Sequence, residues 1–289
     1  MSHYSANLDD FAMDSRSMAG PLDARLKATR EAGFAQIMLS ASDLTSHPGG
    51  MDAAVAAVKA SGLRVSGFQT LADFEGLVGP SLAYKMGVAK SMLEMCHAVD
   101  GHFLVASAST LSHAASDSPT LIRNLRQLAM LAIPMNIRIA YRACSQGAVV
   151  RHFMQAWDLV CEADMPNLGL CLDTIDMLTT GASQDDIDCL DGEKLFLVQL
   201  ADSIHALAPH FRVFPGEGEH SNDLATWVSA FHGLGYRGDY CLSAFNGDYQ
   251  QMPLPDVAQR AWGSALWLGL DVLQRSVPLP NQIRLKRAR

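Results

Sequence analysis

The sequence predicts a single (β/α)8 barrel, and three observations support this prediction. First, short apolar runs alternate with longer amphipathic segments along the whole 289-residue chain. Second, the connections are short, and no segment rich in Gly, Pro or Ser divides the chain. Third, the length suits one barrel of this kind, which takes about 250 residues. Two Rossmann-like halves are the alternative fold, although no GxGxxG motif follows any predicted strand.

Strands are predicted where short apolar runs carry β-branched or aromatic residues, as is typical of a buried parallel sheet. The first is placed within Tyr4–Met13. The others are Ala35–Leu39, Leu63–Phe68, His102–Ala106, Asn136–Ala140, Leu168–Leu172, Leu195–Leu200 and Asp239–Leu242.

Helical periodicity predicts the segments between the strands. Glycine or proline follows several of them, as at Gly33, Gly62 and Pro134. A short acidic helix is expected between Gln184 and Leu190. The longer predicted helices are Leu22–Ala32, Met51–Ser61, Leu82–Val99, Thr120–Ala132, Val150–Ala163, Asp223–Phe231 and Val257–Gln274.

Composition and charge argue against several classes of protein. A net charge of −8 argues against nucleic-acid binding. No apolar run reaches the roughly 18 residues that cross a membrane. The N-terminus lacks the basic and apolar regions of a secretory signal, so we expect a cytoplasmic protein. The six cysteines form no CxxC pair, which argues against a zinc ribbon. We expect the barrel to span residues 1–283, followed by a basic, solvated tail at 284–289.

Polar side chains follow the predicted strands, where barrel enzymes carry their functional groups. Gln69 follows the third strand, Arg142 the fifth and Asp173 the sixth. Glu217 lies in a glycine-containing turn, where it can contact a ligand or remain solvated. The other polar candidates are Gln199, Asp202, Arg212 and Ser243.

Several segments resemble the xylose isomerase-like TIM barrels, and among them the bacterial 3-dehydroshikimate dehydratases. These segments are GFQTLADFEG, HFMQAWDLV, NLGLCLDTIDML, FLVQLADS, PHFRVFPGEGE and AFNGDY, and the resemblance extends from about Asp23 to Tyr249. It implies one divalent metal at the barrel mouth, held by side chains from four strand ends. It also implies lyase or isomerase chemistry on a polyhydroxylated acid or sugar.

The chain departs from this family at two of the four implied metal ligands. Asp173 and Gln199 match the pattern, whereas Arg142 and Ser243 stand where glutamates are implied. One carboxylate and one amide are a poor site for a hard cation, and a guanidinium would repel it. We therefore expect no metal cofactor, and a charged pair between Arg142 and Asp173. A rebuilt site for Mg, Mn, Co or Zn is the alternative, with candidate ligands His205, His210, Asp176 and Asp202.

Three functions follow from these residues. The protein is a metal-dependent lyase or isomerase, a metal-free enzyme in which Arg142 stabilises an enolate, or an inactive homologue that binds a ligand. The inactive homologue is the favoured interpretation. We expect its ligand to be a small anionic or polyhydroxylated molecule. Assembly into a homo-oligomer is left open. The catalytic candidates are Arg142, Asp173 and Asp176. The candidate ligand contacts are Gln69, Arg142, Asp173, Gln199, Asp202, Arg212 and Glu217.

Overall fold

The computed structural model describes residues 7–204 and 211–275, and it confirms the predicted (β/α)8 barrel. Eight parallel strands close into a ring, and β1 pairs with both its sequence neighbour β2 and the last strand, β10. Two further short strands, β8 and β9, pair antiparallel beside the barrel. In chain order the strands are β1 (Phe11–Asp14), β2 (Gln36–Ser40), β3 (Arg64–Ala72), β4 (Phe103–Ser107), β5 (Arg138–Arg142), β6 (Leu168–Asp173), β7 (Leu195–Leu200), β8 (Asp202–Ser203), β9 (Arg212–Val213) and β10 (Asp239–Leu242).

Helices cover the outside of the barrel. They are α1 (Leu22–Ala32), α2 (Ala41–Thr45), α3 (Gly50–Ala60), α4 (Gly79–Ala98), α5 (Ser118–Ala132), α6 (Phe153–Ala163), α7 (Thr174–Thr180), α8 (Gln184–Asp188), α9 (Ser221–Gly233) and α10 (Leu254–Leu266). A π-helical turn, Trp267–Val272, follows α10 and replaces the end of the helix predicted to reach Gln274. Within the described ranges, no helix is long and apolar enough to cross a bilayer.

Three short features differ from the sequence prediction. The first strand begins at Phe11 and ends at Asp14, so it lies further along the chain than expected, and residues 4–6 are outside the described ranges. Helix α7 has seven residues, too few to show a helical period, and it begins where the Asp173 carboxylate caps it. The β8–β9 hairpin has two residues in each strand, which leaves no recognisable alternation.

A small apolar cluster fills the barrel beneath the strand ends. It includes Ala140, Cys171, Leu197 and Cys241, all inaccessible to solvent. Side chains alternate along a strand, so the residues two positions further on share the inward face. Those residues are Arg142, Asp173, Gln199 and Ser243. The strand pattern therefore places four polar positions in one layer above an apolar plug.

Candidate functional site

Asp173 is the centre of a charged cluster at the carboxyl end of β6. Its side chain is 1% exposed and accepts hydrogen bonds from two guanidinium groups. Arg142 Nη1 lies 2.9 Å and Arg212 Nη1 2.8 Å from Asp173 Oδ2. Asp173 Oδ1 accepts from the backbone N–H groups of Ile175 and Asp176 in the first turn of α7. One buried carboxylate thus joins a helix N-terminus to both arginines.

Arg142 also connects Asp173 to two amide side chains. Its Nη1 donates to Gln199 Oε1 over 2.6 Å, and Gln199 Nε2 donates to Gln69 Oε1 over 2.7 Å. A longer contact of 3.5 Å joins Arg142 Nη2 to Ser107 Oγ. The expected Arg142–Asp173 pair is present, and four of the predicted contact residues form one hydrogen-bonded layer.

Burial and charge act in opposite directions on this cluster. Burial raises the pKa of Asp173, but Arg212 and Arg142 outweigh it, and the pKa of that carboxyl lies below its ordinary value. Burial disfavours the charged form of Arg142, yet Asp173 and Asp176 hold its pKa above the ordinary value. The pKa of Asp176 is raised, first by burial and then by the charge of Asp173. Asp173 and Arg142 are thus held in their charged forms, whereas Asp176 keeps its proton to a higher pH than an ordinary aspartate.

The four positions that the family resemblance assigns to metal ligands do not fit a divalent cation. The β6–β7 register sets Asp173 beside Gln199, as a shared site would need. However, Arg142 Nη1 lies against Asp173 Oδ2 and Gln199 Oε1, the two oxygens that a cation would bind. Ser243 Oγ donates to Asp14 Oδ2 over 2.6 Å instead of facing these oxygens. A hard cation needs several oxygen or nitrogen ligands, and a guanidinium repels it.

The residues proposed for a rebuilt metal site have other surroundings. Asp176 Oδ1 accepts from the backbone N–H of Ser145 over 2.9 Å, while Asp202 lies in the β8–β9 hairpin. His205 and His210 lie outside the described residues. Across residues 7–204 and 211–275, no three His, Cys, Asp or Glu side chains are grouped closely enough to hold a metal ion.

A cavity of about 330 Å³ opens beside the cluster at the barrel mouth. Arg142 and Arg212 line it, together with Arg16, Asp176 and Phe245. Its other lining residues are Cys144, Ser145, Gln146 and Ile175. Three guanidinium groups and one carboxylate line the cavity, and the arginine N–H groups that Asp14 and Asp173 leave free can donate to an anionic ligand.

Arg16 and Phe245 are two of the six lining residues that the sequence did not predict; the others are Cys144, Ser145, Gln146 and Ile175. The predicted first strand ends at Met13, one residue before the end of β1, but the candidate residues come only from the third strand onward. The signal is present in the sequence, because Asp14-Ser15-Arg16 follows an apolar run as Tyr141-Arg142 does on the fifth strand. Phe245 belongs to a segment that the family resemblance includes, but its apolar side chain gives no chemical signal.

Asp202 and Glu217 lie apart from the charged layer. Asp202 is fully buried and accepts from His220 N over 3.0 Å and from Ser221 Oγ over 2.8 Å, which holds the start of α9. Glu217 accepts from the Tyr249 hydroxyl and from Arg260 Nη1. Neither carboxylate lines the described mouth cavity, and their role as ligand contacts stays a prediction.

The fold and the site together define a TIM barrel with a charged, hydrogen-bonded cluster and a cavity at the carboxyl ends of its strands. The model of one family, described as xylose isomerase-like TIM barrel, matches residues 26–265. The chain therefore belongs to the xylose isomerase-like TIM barrel family, as its motifs predicted.

Relatives of known name and structure agree with this assignment. The 3-dehydroshikimate dehydratase of Pseudomonas aeruginosa is 32% identical over 271 residues, covering 91% of this chain and 42% of that protein. This chain thus spans less than half the length of that relative.

Two solved structures resemble the whole barrel. A xylose isomerase-like TIM barrel/4-hydroxyphenylpyruvate dioxygenase fusion protein superposes with a TM-score of 0.85 at 26% identity, covering 94% of this chain and 45% of that one. The IolI protein with a bound zinc atom superposes with a TM-score of 0.79 at 19% identity, covering 93% and 99% of the two chains. At the lower identity the likeness concerns the fold alone.

Proposed function

We propose that this protein binds a small organic anion at the barrel mouth and that Arg142 replaces the divalent cation implied by its family. The observation that carries the proposal is the position of Arg142 Nη1, 2.9 Å from Asp173 Oδ2 and 2.6 Å from Gln199 Oε1. There the guanidinium supplies a fixed positive charge between two oxygens that would otherwise hold a metal. On this proposal the protein is a metal-independent, catalytically inactive homologue of the 3-dehydroshikimate dehydratases.

The ligand we propose is a carboxylic acid that also carries hydroxyl groups. Arg142 and Arg212 each use Nη1 for Asp173, which leaves further N–H groups for ligand oxygens. Gln69 is buried and does not line the cavity, but its Nε2 has no hydrogen-bond partner in the described ranges, and on this proposal it donates to a ligand hydroxyl. A volume of about 330 Å³ lies at the lower end of small-molecule sites. The name of the Pseudomonas relative suggests 3-dehydroshikimate as the first compound to test.

A metal-free lyase or isomerase is the second candidate, and the position of Asp176 favours it. Asp176 Oδ2 lies 4.0 Å from Arg142 Nε, and both side chains line the mouth cavity. In a dehydration, a base removes a proton next to a carbonyl, the electron pair forms a carbon–carbon double bond, and the hydroxyl leaves with a proton as water. Arg142 would stabilise the enolate oxygen, Asp176 would carry the proton, and Asp173 would hold Arg142 in place.

Calorimetry with 3-dehydroshikimate in metal-free buffer tests the binding proposal. We expect binding to wild type, and a loss of about tenfold or more in Arg212→Gln, because a charge-assisted hydrogen bond is removed. Arg30→Gln is the matched control, since it removes one positive charge from an exposed position on α1. The proposal would be contradicted if wild type bound neither this compound nor other hydroxy acids. It would also be contradicted if Arg212→Gln and Arg30→Gln lost the same amount of affinity.

Product analysis separates the two candidates. Bound 3-dehydroshikimate that is recovered unchanged supports the inactive homologue, whereas water loss without added metal supports the metal-free lyase. Elemental analysis that finds about one tightly held Mg, Mn, Co or Zn per chain would overturn both. Self-association and a cytoplasmic location stay predictions from the sequence.

A further inference from the structure

Arg16 is a third guanidinium at the barrel mouth, contributed by the turn Ser15–Ser17 that follows β1. Its Cζ lies 4.6 Å from the centroid of the Phe245 ring, and Arg212 Cζ lies 5.8 Å from the same centroid. The two guanidinium groups thus share one aromatic support and line one cavity. A ligand held by Arg212 is therefore within the cavity that Arg16 also faces.

Asp14, the last residue of β1, orients Arg16. Arg16 N donates to Asp14 Oδ1 over 3.0 Å, and Arg16 Nη2 donates to Asp14 Oδ2 over 3.2 Å. Asp14 is fully buried, and Ser243 Oγ donates to the same Oδ2 over 2.6 Å. A chain of three side chains thus runs from Ser243, just after β10, through Asp14 to Arg16.

The residue at position 243 decides whether Asp14 can take this role. A glutamate, which the family resemblance implies here, would set a second carboxylate against buried Asp14, and the like charges would repel. Serine donates a hydrogen bond and adds no charge. Serine in place of the implied glutamate at position 243 therefore removes one metal ligand and leaves Asp14 available to hold Arg16.

We infer that Arg16 binds the ligand and that Asp14 and Ser243 are positioning residues acting through it, an inference that rests on the proposed anion-binding function. Nε and Nη2 of Arg16 face Asp14, whereas Nη1 has no protein partner among the described residues. Arg16 Nη1 and the remaining N–H groups of Arg212 can donate to one ligand from two different strand ends. The chemical class that fits is an organic acid with oxygen acceptors at both ends, such as a carboxylate opposite a hydroxyl or ketone.

Calorimetry with 3-dehydroshikimate, on variants that unfold at the wild-type temperature, tests the role of Arg16. Arg16→Gln should raise Kd about tenfold or more, because one charge-assisted hydrogen bond to the ligand is lost. It should also weaken the dependence of Kd on salt, which a purely structural role would leave unchanged. Arg16→Lys keeps the positive charge but lacks the planar guanidinium, and its Kd should lie between those of wild type and Arg16→Gln. The control Arg30→Gln should bind as wild type does.

Substitutions at position 243 test the positioning residues. Ser243→Ala removes the donor to Asp14 and should raise Kd about two- to fivefold, the effect of a neutral hydrogen bond. Ser243→Thr keeps the hydroxyl and should restore the wild-type Kd.

The failures of the two ideas are distinguishable. Unchanged Kd and salt dependence in Arg16→Gln, with weakened binding in Arg212→Gln, would overturn the role of Arg16 and leave the proposed function standing. Equal Kd values in Ser243→Ala and wild type would overturn the positioning role. Wild-type protein that binds no organic acid would overturn the proposed function, and this inference with it.

Discussion

Replacing Asp173 by asparagine removes the charge on which the site is centred, and we expect the fold to lose stability. The carboxylate is 1% exposed and pairs with Arg142 at 2.9 Å and Arg212 at 2.8 Å. An asparagine side chain has the same shape, and its Oδ1 can still accept from the N–H groups that begin α7. The substitution therefore removes the negative charge alone, and the guanidinium groups of Arg142 and Arg212 lose their shared carboxylate partner.

The magnitude follows from the two charge-assisted hydrogen bonds. Each contributes about 1.5–3 kcal/mol, and removing one partner of a buried charged pair typically costs about 3–5 kcal/mol. Because Arg142 is 15% exposed and can recover some hydration, we expect a loss near 3 kcal/mol in the free energy of unfolding at pH 7. Such a loss is a large fraction of a typical total of about 5–15 kcal/mol.

Urea unfolding across a range of pH is the assay. The pKa of Asp173 is lowered in the folded state, so its stabilising contribution is fully present above the unfolded pKa of about 3.9. That contribution is lost as the pH falls through the folded pKa. The difference between wild type and Asp173→Asn should therefore be constant near neutral pH and should shrink below about pH 4.

An exposed ion pair supplies the control. Asp100 pairs with Lys59 at 3.5 Å and is 77% exposed, so Asp100→Asn should change stability by less than about 1 kcal/mol. A loss below 1 kcal/mol in Asp173→Asn, or a loss that stays constant from pH 7 to pH 3, would refute the reasoning.

Three further predictions address the metal positions, the second carboxyl group and the packing of the barrel. The double change Arg142→Glu plus Ser243→Glu should restore binding of Mn²⁺ in calorimetry, and each single change should give weaker binding than the double change. A folded double mutant that binds Mn²⁺ no better than wild type would mean that β5 and β10 are misaligned with the family. Asp176→Asn should leave the free energy of unfolding in urea at pH 8 unchanged or raise it. The pKa of Asp176 is raised in the fold, so above the unfolded pKa the ionised carboxyl destabilises the folded state. A clearly lower free energy of unfolding for this variant at pH 8 would contradict the prediction. Gly169→Ala should cost about 1–3 kcal/mol, since an added Cβ would lie 2.5 Å from the Phe196 ring; an unchanged unfolding midpoint would refute it.

The barrel strands were predictable because buried parallel strands are nearly continuous apolar runs. The predicted bounds of β7 (Leu195–Leu200) and β10 (Asp239–Leu242) agree with the structure residue for residue. Helix α1 (Leu22–Ala32) agrees as well, because Gly33 ends it in a left-handed conformation with φ 118°. Helix α7 escaped prediction, since seven residues carry no period and its start depends on the Asp173 carboxylate.

The charged pair at the site was also predictable, because it follows from residue types at known strand ends. Arg142 after the fifth strand and Asp173 after the sixth must approach each other, since neighbouring strands of a closed barrel end at the same rim. Arg16 was missed because the polar residues after the first strand were not among the candidates, although the predicted end of that strand is only one residue early. The contact of Arg16 with Phe245 joins the turn after β1 to the segment after β10, which are neighbours only because the barrel closes.

The sequence by itself determined the barrel and the polar residues at its strand ends, because these depend on hydrophobic period and residue type, which are local properties of the chain. The family resemblance, and not the period, implies that Arg142 and Ser243 stand at two metal-ligand positions. Only the tertiary structure decided which oxygens Arg142 contacts, that Arg212 shares Asp173 with it, and that Ser243 turns to Asp14. Such partners lie as far as 229 residues apart, and the choice among them depends on distances of a few tenths of an ångström that the closed barrel sets.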